Sequence, residues 1–221
     1  LFCLLTCFIV GCASESKPLE KENNVKATYS VTDDRGKVFE FAKPPTRMMT
    51  TSLAFQDILL EMVPVEHFIA TSVSAADPNY SMTAALSKKI PNKYRPRITV
   101  EQVLKYKPDL FLTTPLTNPE VSSTLEDMGV KVFMLNQAET YDDIKKSIVK
   151  LGNLVNEKEK SVAILQKMEA SEKALAEKLA VIPKDKQKLA IQLTYSGTYG
   201  MLQNIFGMLC DLAHVKNGMA I

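Results

Sequence analysis

Residues 156–181 constrain the fold more than any other stretch, because their pattern predicts a single long helix. Asn156 followed by Glu159 is the signature of a capping box at the helix start, and Pro183 closes the segment. A helix of about 25 residues is roughly 37 Å long, which is more than one small domain needs. Its apolar stripe, at spacings of three and four residues, comprises Val162, Leu165, Met168, Leu175 and Leu179. The stripe is short and interrupted by Glu172, so a rod that joins two lobes is a better interpretation than a coiled coil.

Composition narrows the class of protein. With 221 residues, of which 46% are hydrophobic, the chain can bury a substantial core in one large or two modest domains. The formal net charge of +2, from 27 basic and 25 acidic residues, gives no indication of nucleic-acid binding. Only Cys210 lies in the body of the chain, so no internal disulfide framework is expected. His67 and His214 are too few for a three-histidine metal centre unless carboxylates or tyrosines complete it. We interpret His67 as a structural histidine and His214 as a surface or helix-end histidine.

The N-terminal residues predict export. Residues 1–11 form an apolar run that is too short to cross a bilayer and that has the size of the central part of a signal peptide. No Met or basic segment precedes this run, so we expect a partial signal peptide. The sequence IVG before Cys12 resembles a bacterial lipobox, which implies a lipidated Cys12; an ordinary signal peptide that contains a cysteine is the alternative. Residues 12–27 are polar and predict a flexible, lipid-anchored tether, which places the protein outside the cytoplasm, in a periplasm or on the outer cell face.

The body of the chain alternates between strand and helix patterns. A hairpin is predicted at residues 29–41 around the turn residues 33–36. The predicted strands after it are 47–51, 67–73, 109–113, 131–135 and 188–193. The predicted helices are 54–62 with Ser52 as its cap, 101–105, 120–128, 141–155 and 204–212. This alternation predicts an α/β fold with a parallel sheet, whose strand ends form a binding rim on one edge.

Four stretches resemble the substrate-binding lipoproteins of the ABC importers for iron-siderophores, haem and cobalamin. They are VTDDRGKVFEFAKPPTRMMTTS, ITVEQVLKYKPDLFLTT, LEDMGVKVFML and MLCDLAHVKNGMA, and VEQVLKYKPDLFL is the most specific. The resemblance implies two Rossmann-like α/β lobes joined by one long helix, with the second lobe incomplete. The lobes would be residues 28–155 and 183–221, and the joining helix residues 156–182. It also implies a monomer that is not an enzyme, holds no covalent cofactor, and hands an iron chelate, haem or corrinoid to an ABC permease and its ATPase.

The resemblance also places the site between the lobes, over the strand ends. The ligand-binding candidates are Thr51, Ser52, Tyr94, Arg95, Thr114, Leu116, Tyr195 and Tyr199. A tyrosine can ligate ferric iron as a phenolate or stack on a macrocycle, and the sequence leaves both roles open. Arg95 is suited to pair with ligand carboxylates through its planar guanidinium. Glu101 takes the family position of an acidic residue that contacts basic residues of the permease.

Two other functions remain as alternatives. Capture of a bare Zn or Mn ion is a related transport function, but it needs several histidines together with carboxylates. An enzyme on the same scaffold, such as a chelatase or a redox subunit, needs a histidine with acidic partners or cysteine cluster ligands. Neither set of residues is evident in the sequence. His214 also stands where the family usually carries small glycines.

Overall fold

The computed structural model describes residues 28–95, 97–194, 197–199 and 204–218. The predicted hairpin is confirmed: β1 (Tyr29–Thr32) pairs antiparallel with β2 (Val38–Phe41). The buried carboxylate of Asp33 fixes the turn, because it accepts hydrogen bonds from the backbone amides of Arg35 at 2.9 Å and Lys37 at 3.0 Å. It also accepts a hydrogen bond from the amide of Met134 at 3.3 Å, which attaches the hairpin to the sheet.

Five parallel strands form the sheet. They are β3 (Met48–Thr50), β4 (Ala70–Ser72), β5 (Asn92–Tyr94), β6 (Leu110–Thr113) and β7 (Val132–Met134). β6 lies between β3 and β7, and β4 pairs with β5. An isolated parallel bridge between Met48 and Phe68 joins the two groups, which gives the spatial order β5-β4-β3-β6-β7. The strand order therefore reverses between β3 and β6.

Helices cover both faces of this sheet. They are α1 (Leu53–Leu60), α2 (Ala84–Ser87), α3 (Val100–Tyr106), α4 (Pro119–Asp127) and α5 (Tyr141–Leu154). Consecutive strand residues enter opposite cores: Leu110 and Leu112 pack in one core, and Phe111 packs in the other. Strands that are apolar on both faces are typical of parallel sheets with helices on each side. The α/β fold class predicted from the sequence is confirmed, although α2 and β5 were not predicted.

The KPD sequence before β6 ties the starts of two strands together. The Asp109 carboxylate accepts hydrogen bonds from the amides of Thr46 at 2.9 Å and Arg47 at 3.1 Å. The Arg47 guanidinium in turn donates to the carbonyls of Tyr106 at 2.7 Å and Lys107 at 3.1 Å, where α3 ends. These bonds satisfy carbonyls that the last turn of a helix leaves without partners. The motif with the most specific resemblance therefore has a structural role in addition to any functional one.

The long helix starts differently from the prediction. α6 spans Lys158–Leu179, and no side chain caps its N-terminus. Asn156 has φ +57° and lies one residue beyond the C-cap of α5, so it ends that helix and does not begin the next. The amide of Asn156 donates to the Asn153 carbonyl at 3.2 Å, and that of Glu157 donates to the Gly152 carbonyl at 2.8 Å. This pair of bonds is a Schellman motif, so the capping box predicted from Asn156 and Glu159 is wrong.

The apolar stripe of α6 is also partly different from the prediction. Ile164, Leu165 and Met168 pack against the core. Leu165 and Met168 belong to the predicted stripe, and Ile164 does not. Val162 is 50% exposed, because α6 turns Ser161 towards α5 at that level. Leu175 is 41% exposed and lines a surface cavity together with Leu212, outside the core. Only the first half of the rod is held by the core in the described part of the chain.

Beyond α6 the chain builds a second, smaller set of strands. They are β8 (Leu189–Ala190), β9 (Gln192–Thr194), β10 (Gly197–Tyr199) and β11 (Lys216–Asn217), with α7 (Ile205–Leu212) before the last. β9 and β10 form an antiparallel hairpin, and β8 pairs in parallel with β11. A parallel pair with a helix between its strands is the unit expected of another α/β lobe, although the two-lobed arrangement itself stays a prediction. None of the described helices is long and apolar enough to cross a membrane.

Candidate functional site

A cavity of about 890 Å³ lies at the carboxyl ends of the parallel strands. It opens where the strand order reverses between β3 and β6, and its walls come from the segments that follow β3, β4, β5 and β6. In open α/β sheets a crevice at such a reversal is the usual place for a ligand. Of the nine residues predicted to bind ligand or permease, six line this cavity: Thr51, Ser52, Tyr94, Glu101, Thr114 and Leu116.

The floor of the cavity is rich in hydroxyl groups. The Thr51 hydroxyl lies 3.0 Å from that of Thr117 and 3.4 Å from that of Thr113, so the ends of β3 and β6 are joined by side-chain hydrogen bonds. Ser52 is the N-cap of α1 and accepts a hydrogen bond from the Phe55 amide at 3.4 Å, as the sequence predicted. Neutral hydroxyls can donate or accept, so this floor accommodates either kind of polar ligand atom.

The loop after β6 adds an apolar wall. The hydroxyl of Thr114 accepts a hydrogen bond from the Leu116 amide at 3.3 Å, which shapes the turn. The Leu116 side chain is 77% exposed and lines the cavity. An exposed leucine beside a hydroxyl-rich floor offers both an apolar and a polar surface to one ligand.

Tyr94 lines the cavity from the end of β5 with its hydroxyl already engaged. Its side chain is buried, and the phenol donates a hydrogen bond to the backbone carbonyl of Thr50. Burial raises the pKa of the Tyr94 phenol. Because ligation of iron as a phenolate requires loss of that proton, the geometry favours a role for Tyr94 as a wall of the cavity.

The structure distinguishes two arginines that the sequence places close together. Arg95 is exposed and does not line the cavity, whereas Arg97 does. Sequence reasoning missed Arg97 because β5 had not been predicted, so the direction of the loop that leaves it was unknown. The available signal was the short segment NKY before the arginines, which forms an edge strand of the sheet.

Glu101 lies at the mouth of the same cavity. It is exposed in the first turn of α3, whose N-terminus is closed by a capping box between Thr99 and Gln102. Hydrogen bonding to the Thr99 side chain and to its own backbone lowers the pKa of the Glu101 carboxyl, so it is ionised at neutral pH. Glu120 occupies the equivalent position in the first turn of α4 and also lines the cavity.

The structure leaves three of the predicted residues untested and places both histidines away from this cavity. Cys12 and Tyr195 lie outside the described residues, and Tyr199 is in β10. His67 is in a short 3-10 turn, and His214 is at the end of α7 with φ +50°. No group of three or more His, Cys, Asp or Glu side chains is arranged to hold a metal ion among the residues described.

A second cavity of about 800 Å³ lies between β1 and α5. Its basic residues are Lys145, Lys146, Lys150 and Lys158, and Lys150 pairs with Asp34. Gln137, which follows β7, lines both cavities. None of the predicted site residues lines this second cavity.

Similar proteins identify the fold. An uncharacterized ABC transporter substrate-binding lipoprotein, YvrC of Bacillus subtilis, is 28% identical over 104 residues, which are 46% of this chain and 33% of that protein. A periplasmic heme binding protein from Pseudomonas aeruginosa superposes with a TM-score of 0.65 at 18% identity, over 78% of this chain and 62% of the other. A periplasmic solute binding protein from Veillonella parvula gives a TM-score of 0.67 at 20% identity, over 86% and 59% of the two chains. At these identities the structural likeness shows a shared fold.

The chain spans one third of the length of this curated relative and about three fifths of the two solved structures. The family model described as periplasmic binding protein matches residues 51–215, which begin at the floor of the cavity and include α3, α6 and α7. With three quarters of its length matched by this model, the chain belongs to the periplasmic binding protein family.

Proposed function

We propose that the protein is the substrate-binding component of an ABC importer, which captures an iron-siderophore, haem or cobalamin in the 890 Å³ cavity and delivers it to the permease. The observation that carries this proposal is the position of the cavity, at the strand-order reversal of a member of the periplasmic binding protein family. A cavity of this volume is in the range of pockets that enclose a sizeable small molecule.

The lining residues support a chelate or macrocycle in preference to a bare cation. Leu116 and the ring of Tyr94 offer flat or apolar surface, while Thr51, Ser52 and Thr114 offer hydroxyls. The lining described contains no histidine or cysteine, the side chains that a Zn site draws on most. The proteins with the same fold include one named as heme binding, which is in keeping with a large ligand. Tyr195 and Tyr199 are proposed to complete the site from the region after α6.

The protein is further proposed to act outside the cytoplasm, held to the membrane through a lipidated Cys12 and the tether of residues 12–27. The B. subtilis relative carries the name lipoprotein, which supports this anchor. A tethered receptor of this kind needs no catalytic groups, and we propose binding without catalysis. The protein would work as a monomer together with the permease and its ATPase.

Intrinsic tyrosine fluorescence tests the function directly, because the chain contains seven tyrosines and no tryptophan. The purified full-length protein is titrated with haemin, cobalamin and a panel of ferric siderophores. We expect saturable quenching by at least one of them. A protein that is folded by circular dichroism but shows no saturable response to any of these ligands would contradict the proposal.

A further inference from the structure

We propose that Arg97 is the anion-recognising residue of the cavity, and hence that the natural ligand carries a carboxylate or another anionic oxygen group. The inference rests on the proposed function and specifies the ligand further. It selects anionic chelates and porphyrins over neutral ligands. The different surroundings of the four arginines of the chain support this inference.

Two of the four arginines are already used by the fold. The Arg35 guanidinium pairs with Asp33 at 2.8 Å and with Glu126 at 2.9 Å. That of Arg47 donates to two carbonyls at the end of α3, at 2.7 and 3.1 Å. Neither arginine lines the cavity, and Arg47 lies directly before β3, at the opposite end of the strands from it.

The other two arginines differ in position. Both are exposed, and neither forms an ion pair or a side-chain hydrogen bond with the described residues. Arg97 lines the cavity and Arg95 does not. The guanidinium fork of Arg97 therefore remains available for bidentate contact with an anionic oxygen group at the site.

Buried residues lie near Arg97 in the sequence on both sides. Tyr94 before it and Ile98 after it are buried, and Thr99 begins α3 with a capping box. Arg97 itself has φ +70°, a left-handed conformation that costs a non-glycine residue about 1 kcal/mol. A conformation of this kind persists only where the neighbouring structure determines it. The buried Ile98 beside it places the Arg97 backbone at the cavity wall.

The described lining of the cavity carries one positive and two negative side chains. Among the described residues that line it, Arg97 is the only one with a positive charge. The acidic lining residues, Glu101 and Glu120, lie exposed in the first turns of α3 and α4, where the helix N-termini offset their charge. Neither lies within ion-pairing distance of Arg97. At Arg97 an anionic oxygen therefore meets a guanidinium that has no carboxylate within ion-pairing distance among the described residues.

Calorimetric titration of the full-length protein tests the inference with matched probes. Haemin is compared with its dimethyl ester, in which both carboxylates are blocked, and ferric citrate with ferrichrome, which is neutral. The variants are Arg97→Gln, which keeps the Cβ and removes the charge, and Arg95→Gln, the same change two residues away and outside the cavity.

We expect the wild type to prefer the anionic member of the pair that it binds. Arg97→Gln should lower the affinity for that ligand about tenfold or more. Loss of a hydrogen bond to a charged group typically costs at least this much affinity. Arg95→Gln should leave the affinity unchanged. Residual binding of the neutral member by Arg97→Gln should equal that of the wild type, which shows that the variant is folded.

Two results would overturn the inference while the proposed function stands. One is an equal affinity of the wild type and Arg97→Gln for the anionic probe. The other is a wild type that binds only the neutral probes or only cobalamin. A folded wild type that binds none of the probes contradicts the proposed function, and the inference fails with it.

Discussion

At the scale of single residues, three helices end in the same way with three different residue types. Gly129 after α4, Asn156 after α5 and His214 after α7 all have positive φ, at +82°, +57° and +50°. In each case the following amide donates to a carbonyl five residues back, as in Gly152 for α5 and Cys210 for α7. Glycine adopts this conformation without strain, so of the three helices only α4 ends with the best-suited residue.

Replacement of His214 by glycine is therefore expected to stabilise the protein. The left-handed conformation costs a residue with a Cβ about 1 kcal/mol, and His214→Gly removes that cost. Urea unfolding followed by circular dichroism measures the change in the free energy of unfolding. Gly129→Ala is the matched control and should lower that free energy by a similar amount. An unchanged or lower stability of His214→Gly would mean that the imidazole makes a stabilising contact of its own.

At the scale of secondary-structure elements, the junction of α5 and α6 depends on a close approach. A Cβ placed on Gly152 would lie 2.5 Å from the Cβ of Ser161, a distance that real Cβ atoms do not reach. Ser161 is buried against α5, and its hydroxyl donates to the Lys158 carbonyl at 2.7 Å. The contact sets how closely the first turn of α6 can approach α5.

Gly152→Ala is expected to destabilise the protein by about 1–3 kcal/mol, because two helix backbones must separate to admit the methyl group. Thermal unfolding followed by circular dichroism measures the loss. The double variant Gly152→Ala/Ser161→Gly removes the atom that clashes and should recover part of the stability, less the cost of a glycine inside a helix. A Gly152→Ala variant as stable as the wild type would show that the helices shift apart at no cost.

At the scale of the whole molecule, the proposed docking to a permease concerns the exposed carboxylates that line the cavity. Glu101 and Glu120 are both exposed at this mouth, but only Glu101 belongs to the VEQVLKYKPDLFL sequence that resembles the permease-contacting segment of the family. Because α6 is one continuous helix, any movement of the parts at its two ends should be small, and binding should be nearly rigid.

Glu101→Ala is expected to reduce ligand uptake about tenfold or more in cells that carry the full-length protein and its permease, because truncation of a docking residue removes a charge-paired contact. Ligand affinity of the purified variant should not change. Glu120→Ala, an exposed carboxylate at the same mouth, is the control and should leave uptake intact. A loss of ligand affinity in Glu101→Ala would instead assign this residue to ligand binding.

The sequence by itself determined those features that depend on neighbouring residues. The hairpin around Asp33, the Ser52 cap of α1 and the alternation of strands and helices are local patterns of polarity and capping, and the structure has them where they were predicted. The α/β class follows from this alternation. Six site candidates also lie in one cavity, because the ends of parallel strands meet at one edge of a sheet whatever their order.

Only the tertiary structure decided which segments meet. The reversal of strand order between β3 and β6 selects the place of the cavity, and no local pattern encodes it. The same is true of the outward position of Val162, which depends on the packing of α6 against α5 at Gly152. Arg97 reaches the cavity while Arg95 does not, because an unpredicted edge strand sets the direction of their loop. Contacts between residues far apart in the chain, and not local propensity, determine these features.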